Sequence, residues 1–214
     1  MATVAVIDYG MGNLHSIEKA LNTVSPDSKV IVSADKNIIL SADRIVFPGV
    51  GAIRDCMNAL REAGLDDTIR QAAKNKPLLG ICLGMQALLQ HSEENGGVDC
   101  LGILPGKVIK FSHNADSCKK ERIKIPHMGW NQVNYSEKNP LFLNIPQNER
   151  FYFVHSYYSS EVGNKIEYAT TNYTKTFSCA LKWKNILAVQ FHPEKSQHAG
   201  LQLLKNFLNW DGQS

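Results

Sequence analysis

The stretch Pro77-Leu78-Leu79-Gly80-Ile81-Cys82-Leu83-Gly84-Met85-Gln86 decides the reading of this 214-residue chain. Residues 77–82 are an apolar run of strand length, and residues 85–91 continue with helical spacing. Between them lies Gly-x-Cys-x-Gly, the form of a strand–turn–helix elbow that presents a nucleophile. A nucleophile on so tight a turn leaves no room for side chains two residues to either side, hence the glycines. The turn lifts the sulfur above the sheet edge. The next amide, that of Leu83, points at the place where an oxyanion would form, and the helix N-terminus favours the thiolate. A lone cysteine is more often a buried apolar residue. Two flanking glycines at a strand–helix junction outweigh that reading.

The surrounding sequence supports a parallel sheet. Residues 3–8, 29–33 and 44–47 are short runs rich in β-branched residues. Leu14, Ile17, Leu21 and Val24 give a helix after the first of them. Ile53, Met57, Leu60 and Ala63 give another after the loop Pro48-Gly49-Val50-Gly51, and a further helix is expected at 67–74. Such alternation implies parallel strands with helices on both faces. The second half changes character, with short strand candidates at 108–111, 123–125, 131–135, 151–155, 166–170, 177–183 and 186–191. Leu201, Leu204, Phe207 and Leu208 close the chain as an amphipathic helix. The polar segment 112–120 reads as a local insertion. The expectation is one α/β domain over residues 1–214: a mostly parallel central sheet flanked by helices, with antiparallel additions in the C-terminal half.

Composition narrows the function. Hydrophobic residues are 43% and charged residues 20%, an ordinary balance for a packed core, and the net charge is only +3. Nucleic-acid binding is not expected, since the densest basic cluster, Cys118-Lys119-Lys120-Glu121-Arg122, is short and holds an acid. No apolar run reaches the roughly 18 residues of a membrane span. The first eight residues lack the basic start of a secretion signal. The five cysteines are scattered with no Cys-x-x-Cys pair, which suggests a reducing cytoplasm and neither a disulfide framework nor a metal site. Gly10-x-Gly12 is followed by His15 where a dinucleotide loop needs Gly or Ala, and no cofactor is expected.

A cysteine nucleophile needs a base and the base an orienting group. Of seven histidines, two precede a glutamate by two positions: His91-Ser92-Glu93 and His192-Pro193-Glu194. The first falls on the helix expected after Cys82, where positions i and i+2 diverge. The second follows the strand at 186–191. Extended backbone would put His192 and Glu194 on one face, and Pro193 holds the segment extended. The order nucleophile, histidine, glutamate differs from that of α/β-hydrolases, caspases and papain-like proteases. It points to an acyl-transfer enzyme of another kind. Pro48-Gly49-Val50-Gly51 also follows a parallel strand. It belongs at the same sheet edge, where its amides can complete an oxyanion site and a peptide can flip.

Gly80-Ile81-Cys82-Leu83-Gly84-Met85-Gln86 together with Gln190-Phe191-His192-Pro193-Glu194 resembles the class I glutamine amidotransferases over essentially the whole chain. Three further segments sharpen the resemblance: Ile7-Asp8-Tyr9-Gly10-Met11-Gly12-Asn13-Leu14, Pro126-His127-Met128-Gly129-Trp130-Asn131 and Phe153-Val154-His155-Ser156-Tyr157. They are similar to the glutaminase subunits of that family that serve histidine biosynthesis. The resemblance implies that Cys82 attacks the carboxamide of L-glutamine with His192 as base and Glu194 behind it. The oxyanion is held by the Leu83 amide and an amide of the loop, Val50 or Gly51. Gly49, Gln86, Ser156 and Tyr157 hold the substrate, with Glu94 a candidate for its amino group. It also implies a heterodimeric partner, a cyclase subunit with a (β/α)8 barrel, that receives the ammonia. Met128, Trp130, Tyr152 and Lys195 then lie at the partner face or channel mouth. A paralogue feeding a sugar-modifying amidotransferase for surface polysaccharide would share the triad. A catalytically silent binding subunit is disfavoured, because all three triad members are present.

Overall fold

The computed structural model describes residues 2–112, 124–135 and 140–213. The first half alternates as expected: β1 (Thr3–Ile7), α1 (Leu14–Val24), β2 (Lys29–Ser33), α2 (Lys36–Ser41), β3 (Arg44–Phe47), α3 (Ile53–Glu62), α4 (Leu65–Ala72), β4 (Leu78–Ile81) and α5 (Leu83–Leu88). The short helix α2 starts where the Asp35 carboxylate accepts the amides of Asn37 and Ile38. Short strands follow: β5 (His91–Ser92), β6 (Val98–Asp99), β7 (Lys107–Lys110), β8 (His127–Gln132), β9 (Asn134–Tyr135), β10 (Arg150–His155) and β11 (Tyr157–Ser160). The chain ends with β12 (Glu167–Tyr173), β13 (Lys175–Trp183), β14 (Ile186–Val189) and α6 (Gln197–Asn209).

Among the described residues the main sheet runs in the order β2-β1-β3-β4-β14-β13-β11-β7-β5-β6, with β12 and β9 added beside β13. The pairs from β2 to β14 are parallel, and β13 and β11 then run antiparallel. Strands β1, β3, β4 and β14 are buried on both faces, which their continuous apolar runs allow, while β2 at the sheet edge is only half-buried. Ala5, Ile7 and Phe47 pack with α3, α4 and α5, whereas Val4, Val6 and Val46 pack with α1 and α6. A separate two-stranded ribbon, β8 with β10, stands off the main sheet.

The functional consequence lies at one edge. Strands β3, β4 and β14 are neighbours, with Phe47 opposite Gly80 and Val189 opposite Ile81. Their carboxyl ends therefore release three segments side by side: the Pro48–Gly51 loop, the Cys82 turn and the segment running to His192.

Several local expectations are corrected. The helix after Cys82 stops at Leu88, and His91–Ser92 form β5 instead, pairing with β7 and β6. The strand expected at 131–135 is two strands broken at Val133, and β8 begins earlier, at His127. Of the strand expected at 123–125, residue 123 lies outside the described residues, and Lys124 and Ile125 are not in a strand. The polar segment 112–120 lies outside them beyond Ser112.

Candidate active site

Cys82 sits at φ 54°, ψ −107°, a conformation that L side chains rarely adopt. Holding it there costs about 1–3 kcal/mol, which the surrounding packing must offset. The turn is clamped from both sides. Cys82 N donates to the Val189 carbonyl at 2.8 Å. On the other side α5 lies so close to β3 that a Cβ on Gly84 would stand 2.0 Å from the Phe47 carbonyl oxygen. The glycine two residues past the nucleophile is thus required by backbone approach, as its spacing suggests.

His192 and Glu194 meet with Nδ1 and Oε1 2.8 Å apart, both side chains almost wholly buried. The route differs from the extended geometry expected. His192 is extended, but Pro193–Lys195 turn into one 3-10 turn that swings Glu194 back beneath the imidazole. The carboxylate makes Nδ1 the donor, and Nε2 is left for the sulfur side. Burial alone lowers the His192 pKa. The Cys82 sulfur and then the Glu194 carboxylate override that and raise it to about 10. Nε2 has no hydrogen-bond partner of full geometry, while the Cys82 sulfur is near enough to act on the ring. The competing pair behaves differently: His91 Nδ1 meets Asp99 at 2.8 Å on the surface, while the Lys110 amide donates to Glu93.

The loop after β3 lies against the elbow. A Cβ on Gly49 would fall 2.5 Å from the Tyr9 hydroxyl and 2.9 Å from Leu83 Cβ. Tyr9 Oη donates to the Pro48 carbonyl at 2.9 Å. The Leu83 N–H, expected to face an oxyanion, points at the Gly49 carbonyl at 3.4 Å. In this arrangement the Leu83 amide is occupied by a backbone oxygen.

A cavity of about 330 Å³ opens over the elbow, lined by Val50, Gly51, Cys82, Leu83, Gln86, Glu94, Ser156, Tyr157 and His192 among others. Of the residues expected at the catalytic and substrate sites, Gly49 and Glu194 stand behind this lining. Glu94 also accepts the Ile53 amide at 3.1 Å, at the start of α3. Among the described residues no group of three His, Cys, Asp or Glu side chains is placed to hold a metal.

Met128, Trp130, Tyr152 and Lys195 gather at the ribbon rather than in the cavity. Trp130 is cross-strand from Tyr152 with ring centroids 6.1 Å apart, and Lys195 Nζ lies 5.9 Å over the Tyr152 ring. Met128 is 63% and Trp130 44% exposed, an apolar patch on the ribbon. This face touches the His192 segment, because His192 N donates to the Tyr152 carbonyl at 2.9 Å.

The sequence reading assigned no role to the Tyr9 hydroxyl or to the Gln190 amide. It quoted His127 and His155 only as parts of motifs. These two are buried, with His127 Nδ1 and His155 Nε2 2.9 Å apart. Burial lowers their pKa values to about 4 and about 3. The signal for them is polar residues inside an otherwise apolar strand pattern, which needs a partner that the local sequence does not show.

A strained cysteine, a buried imidazole–carboxylate pair and a flanking glycine loop at one edge of a parallel sheet are the arrangement that cysteine-dependent acyl transfer requires. The family model "Glutamine amidotransferase class-I" matches residues 5–210, and the chain belongs to that family. It is 55% identical over 214 residues to the imidazole glycerol phosphate synthase subunit HisH of Nitrosococcus oceani, covering 100% of each chain. It is 54% identical to the subunit of the same name from Methylococcus capsulatus, covering 99% of this chain and 98% of that one. Among solved structures, PurLQS from Thermotoga maritima superposes with a TM-score of 0.70 at 17% identity, covering 97% of this chain and 98% of that one. A glutamine amidotransferase from Thermotoga maritima gives 0.62 at 16%, covering 100% and 99%. These likenesses show the shared α/β fold, a mostly parallel sheet with antiparallel C-terminal strands.

Proposed function

We propose that the chain is the glutaminase subunit of an imidazole glycerol phosphate synthase in histidine biosynthesis, with Cys82, His192 and Glu194 as its triad. The observation that carries the mechanism is the 2.8 Å His192–Glu194 pair set beside Cys82 at one cavity. His192 takes the Cys82 proton, and the sulfur attacks the carboxamide carbon of L-glutamine. The tetrahedral oxyanion is held by the Leu83 amide and by Val50 or Gly51 N–H. The imidazolium at His192 Nε2 protonates the departing nitrogen, which leaves as ammonia. A γ-glutamyl thioester remains. His192 then draws a proton from water as its oxygen attacks, and the Cys82 thiolate leaves with glutamate as product. Glu194 holds the ring and stabilises its charge throughout.

Gln86, Ser156 and Tyr157 line the cavity and are proposed to hold the substrate with the Gly49 backbone, Glu94 meeting its amino group. Oxyanion binding requires the Gly49 carbonyl to leave the Leu83 amide, which a flip of the glycine-flanked peptide accomplishes. The partner is a cyclase subunit with a (β/α)8 barrel docked on the Met128, Trp130, Tyr152 and Lys195 face. It adds the ammonia to a phosphorylated ribulosyl aminoimidazole-carboxamide. That yields imidazole glycerol phosphate and the carboxamide nucleotide. The four described cysteines are free thiols, which supports placing the protein in the cytoplasm. Independently, among the described residues no helix is long and apolar enough to cross a membrane.

The test is glutamate release by the purified chain, alone and with a cyclase subunit and its nucleotide ligand. Low release alone, strong stimulation by the partner and loss of both in Cys82→Ala are expected. High release from the chain alone refutes the coupling. Turnover surviving Cys82→Ala refutes the nucleophile.

A further inference from the structure

Gln190 follows β14 and is fully buried. Its side-chain amide lies between Gln86 and Cys82. Gln86 Nε2 and Gln190 Oε1 are 3.0 Å apart, and Gln190 Nε2 lies 3.7 Å from Cys82 Sγ. Which end of an amide faces which neighbour is decided by the surrounding network. Here the network has a one-way anchor. The Tyr157 carbonyl can only accept, so Gln86 must offer it Nε2, at 3.0 Å. The other N–H of that nitrogen meets Gln190, which has to answer with its oxygen. That leaves the Gln190 NH2 group to face the sulfur.

The same carbonyl orders a second branch. It accepts from His155 Nδ1 at 2.7 Å. His155 Nε2 then accepts from His127 Nδ1, and His127 Nε2 accepts from Asn131 Nδ2 at 3.2 Å. Both branches start from that one acceptor, and Gln190 cannot turn its amide over without losing its bond to Gln86.

We infer that Gln190 is a positioning residue for the nucleophile: its Nε2–H donates to Cys82 Sγ, aims the sulfur into the cavity and favours the ionised form. The inference rests on the proposed role of Cys82. A thiolate is a much better acceptor than a thiol, so a donor fixed in this place stabilises the charged form more than the neutral one. The other groups around the sulfur come from different elements. His192 follows β14, with Glu194 behind it. Tyr9 follows β1, and the sulfur bears on its hydroxyl through space. The Leu83 amide opens α5. None of these replaces a neutral side-chain donor that stays in place when His192 gives up its proton.

The test uses the full chain. Iodoacetamide alkylation of Cys82 is followed by peptide mapping from pH 5 to 10, in wild type and in Gln190→Met, which keeps bulk and removes the donor. The midpoint of alkylation against pH is expected to rise by about one unit, the tenfold change that one charge-assisted hydrogen bond implies. With the partner present, kcat for glutamine is expected to fall about tenfold at neutral pH and to recover as pH rises, with KM little changed. An unmoved midpoint in the folded variant overturns the inference, because a merely structural residue lowers activity without moving the profile. A wild-type measurement covers the case of a variant that does not fold. The side-chain amide nitrogen and proton signals of Gln190 are expected to titrate with the same midpoint as Cys82 alkylation. Signals indifferent to the sulfur's ionisation overturn the inference. Failure of the nucleophile reading looks different, since Cys82 would then not be labelled preferentially and Cys82→Ala would keep its turnover.

Discussion

Gly84→Ala is the sharpest single test of the elbow. The new methyl would stand 2.0 Å from the Phe47 carbonyl oxygen, where real Cβ contacts essentially never fall below 3.0 Å. Strand β3 and helix α5 must therefore part by about 1 Å, and both sides of the contact are backbone that cannot rotate away. Overpacking of this kind costs about 1–3 kcal/mol, and with no flexible side chain to yield the upper end applies. For a chain of this size that corresponds to a fall in Tm of roughly 6–12 °C. The catalytic effect is separate. Parting β3 from α5 also parts the Pro48–Gly51 loop from Leu83, the two halves of the proposed oxyanion site. A displacement near 1 Å there is expected to lower kcat/KM about 100-fold. The assays are thermal unfolding followed by circular dichroism and partner-coupled glutamate release. A variant with wild-type Tm and wild-type turnover would refute the claim that the glycine is required by backbone approach.

Three further outcomes are expected. A glutamine-mimicking electrophile labels Cys82 ahead of the other three described cysteines, since burial pushes the Cys56 thiol up to about 11, that of Cys100 to about 12 and that of Cys179 well above its ordinary value; peptide mapping reads this, and equal labelling of Cys56 contradicts it. The His127–His155 pair is neutral in the folded state, with pKa values lowered by burial, so its stabilisation is fully present above the unfolded value of 6.5 and lost as pH falls towards 4 and then 3; urea midpoints should drop between pH 7.5 and 4.5, and less so in His127→Gln. Trp130→Ala should weaken binding of the cyclase subunit by about 2 kcal/mol, roughly 30-fold in Kd, as for a buried aromatic anchor; calorimetric titration showing an unchanged Kd would remove the ribbon from the interface.

Much of this architecture is legible along the chain, and the reasons are physical. Strands β2 and β3 fall where runs of β-branched residues are bounded by polar or Pro-Gly punctuation, and their ends match the reading. Helix α2 escaped notice because six residues give too little periodicity, although Asp35 ahead of it is an N-cap signal. Strand β11, with the sequence Tyr-Tyr-Ser-Ser, carries no alternating apolar pattern. Its Ser159 instead satisfies its hydroxyl on the Ser178 carbonyl across the sheet. The meeting of His192 with Glu194 was anticipated by the wrong geometry, since a 3-10 turn, not extended chain, closes two positions onto each other. Gln190 was out of reach because its meaning depends on a partner 108 positions away. Sheet order creates that neighbourhood, and no local pattern encodes it.

The Gly49 carbonyl resting against the Leu83 amide has a metabolic consequence. A hydrolase that met its donor amide with an open cradle would release free ammonia wherever the donor is plentiful, whether or not an acceptor stood ready. On the proposed role of the Leu83 amide, the cradle here is stoppered by the chain's own backbone through one long hydrogen bond of 3.4 Å. Under the proposed function silence is then the default setting, and the event that lifts the stopper is where nitrogen release becomes tied to demand.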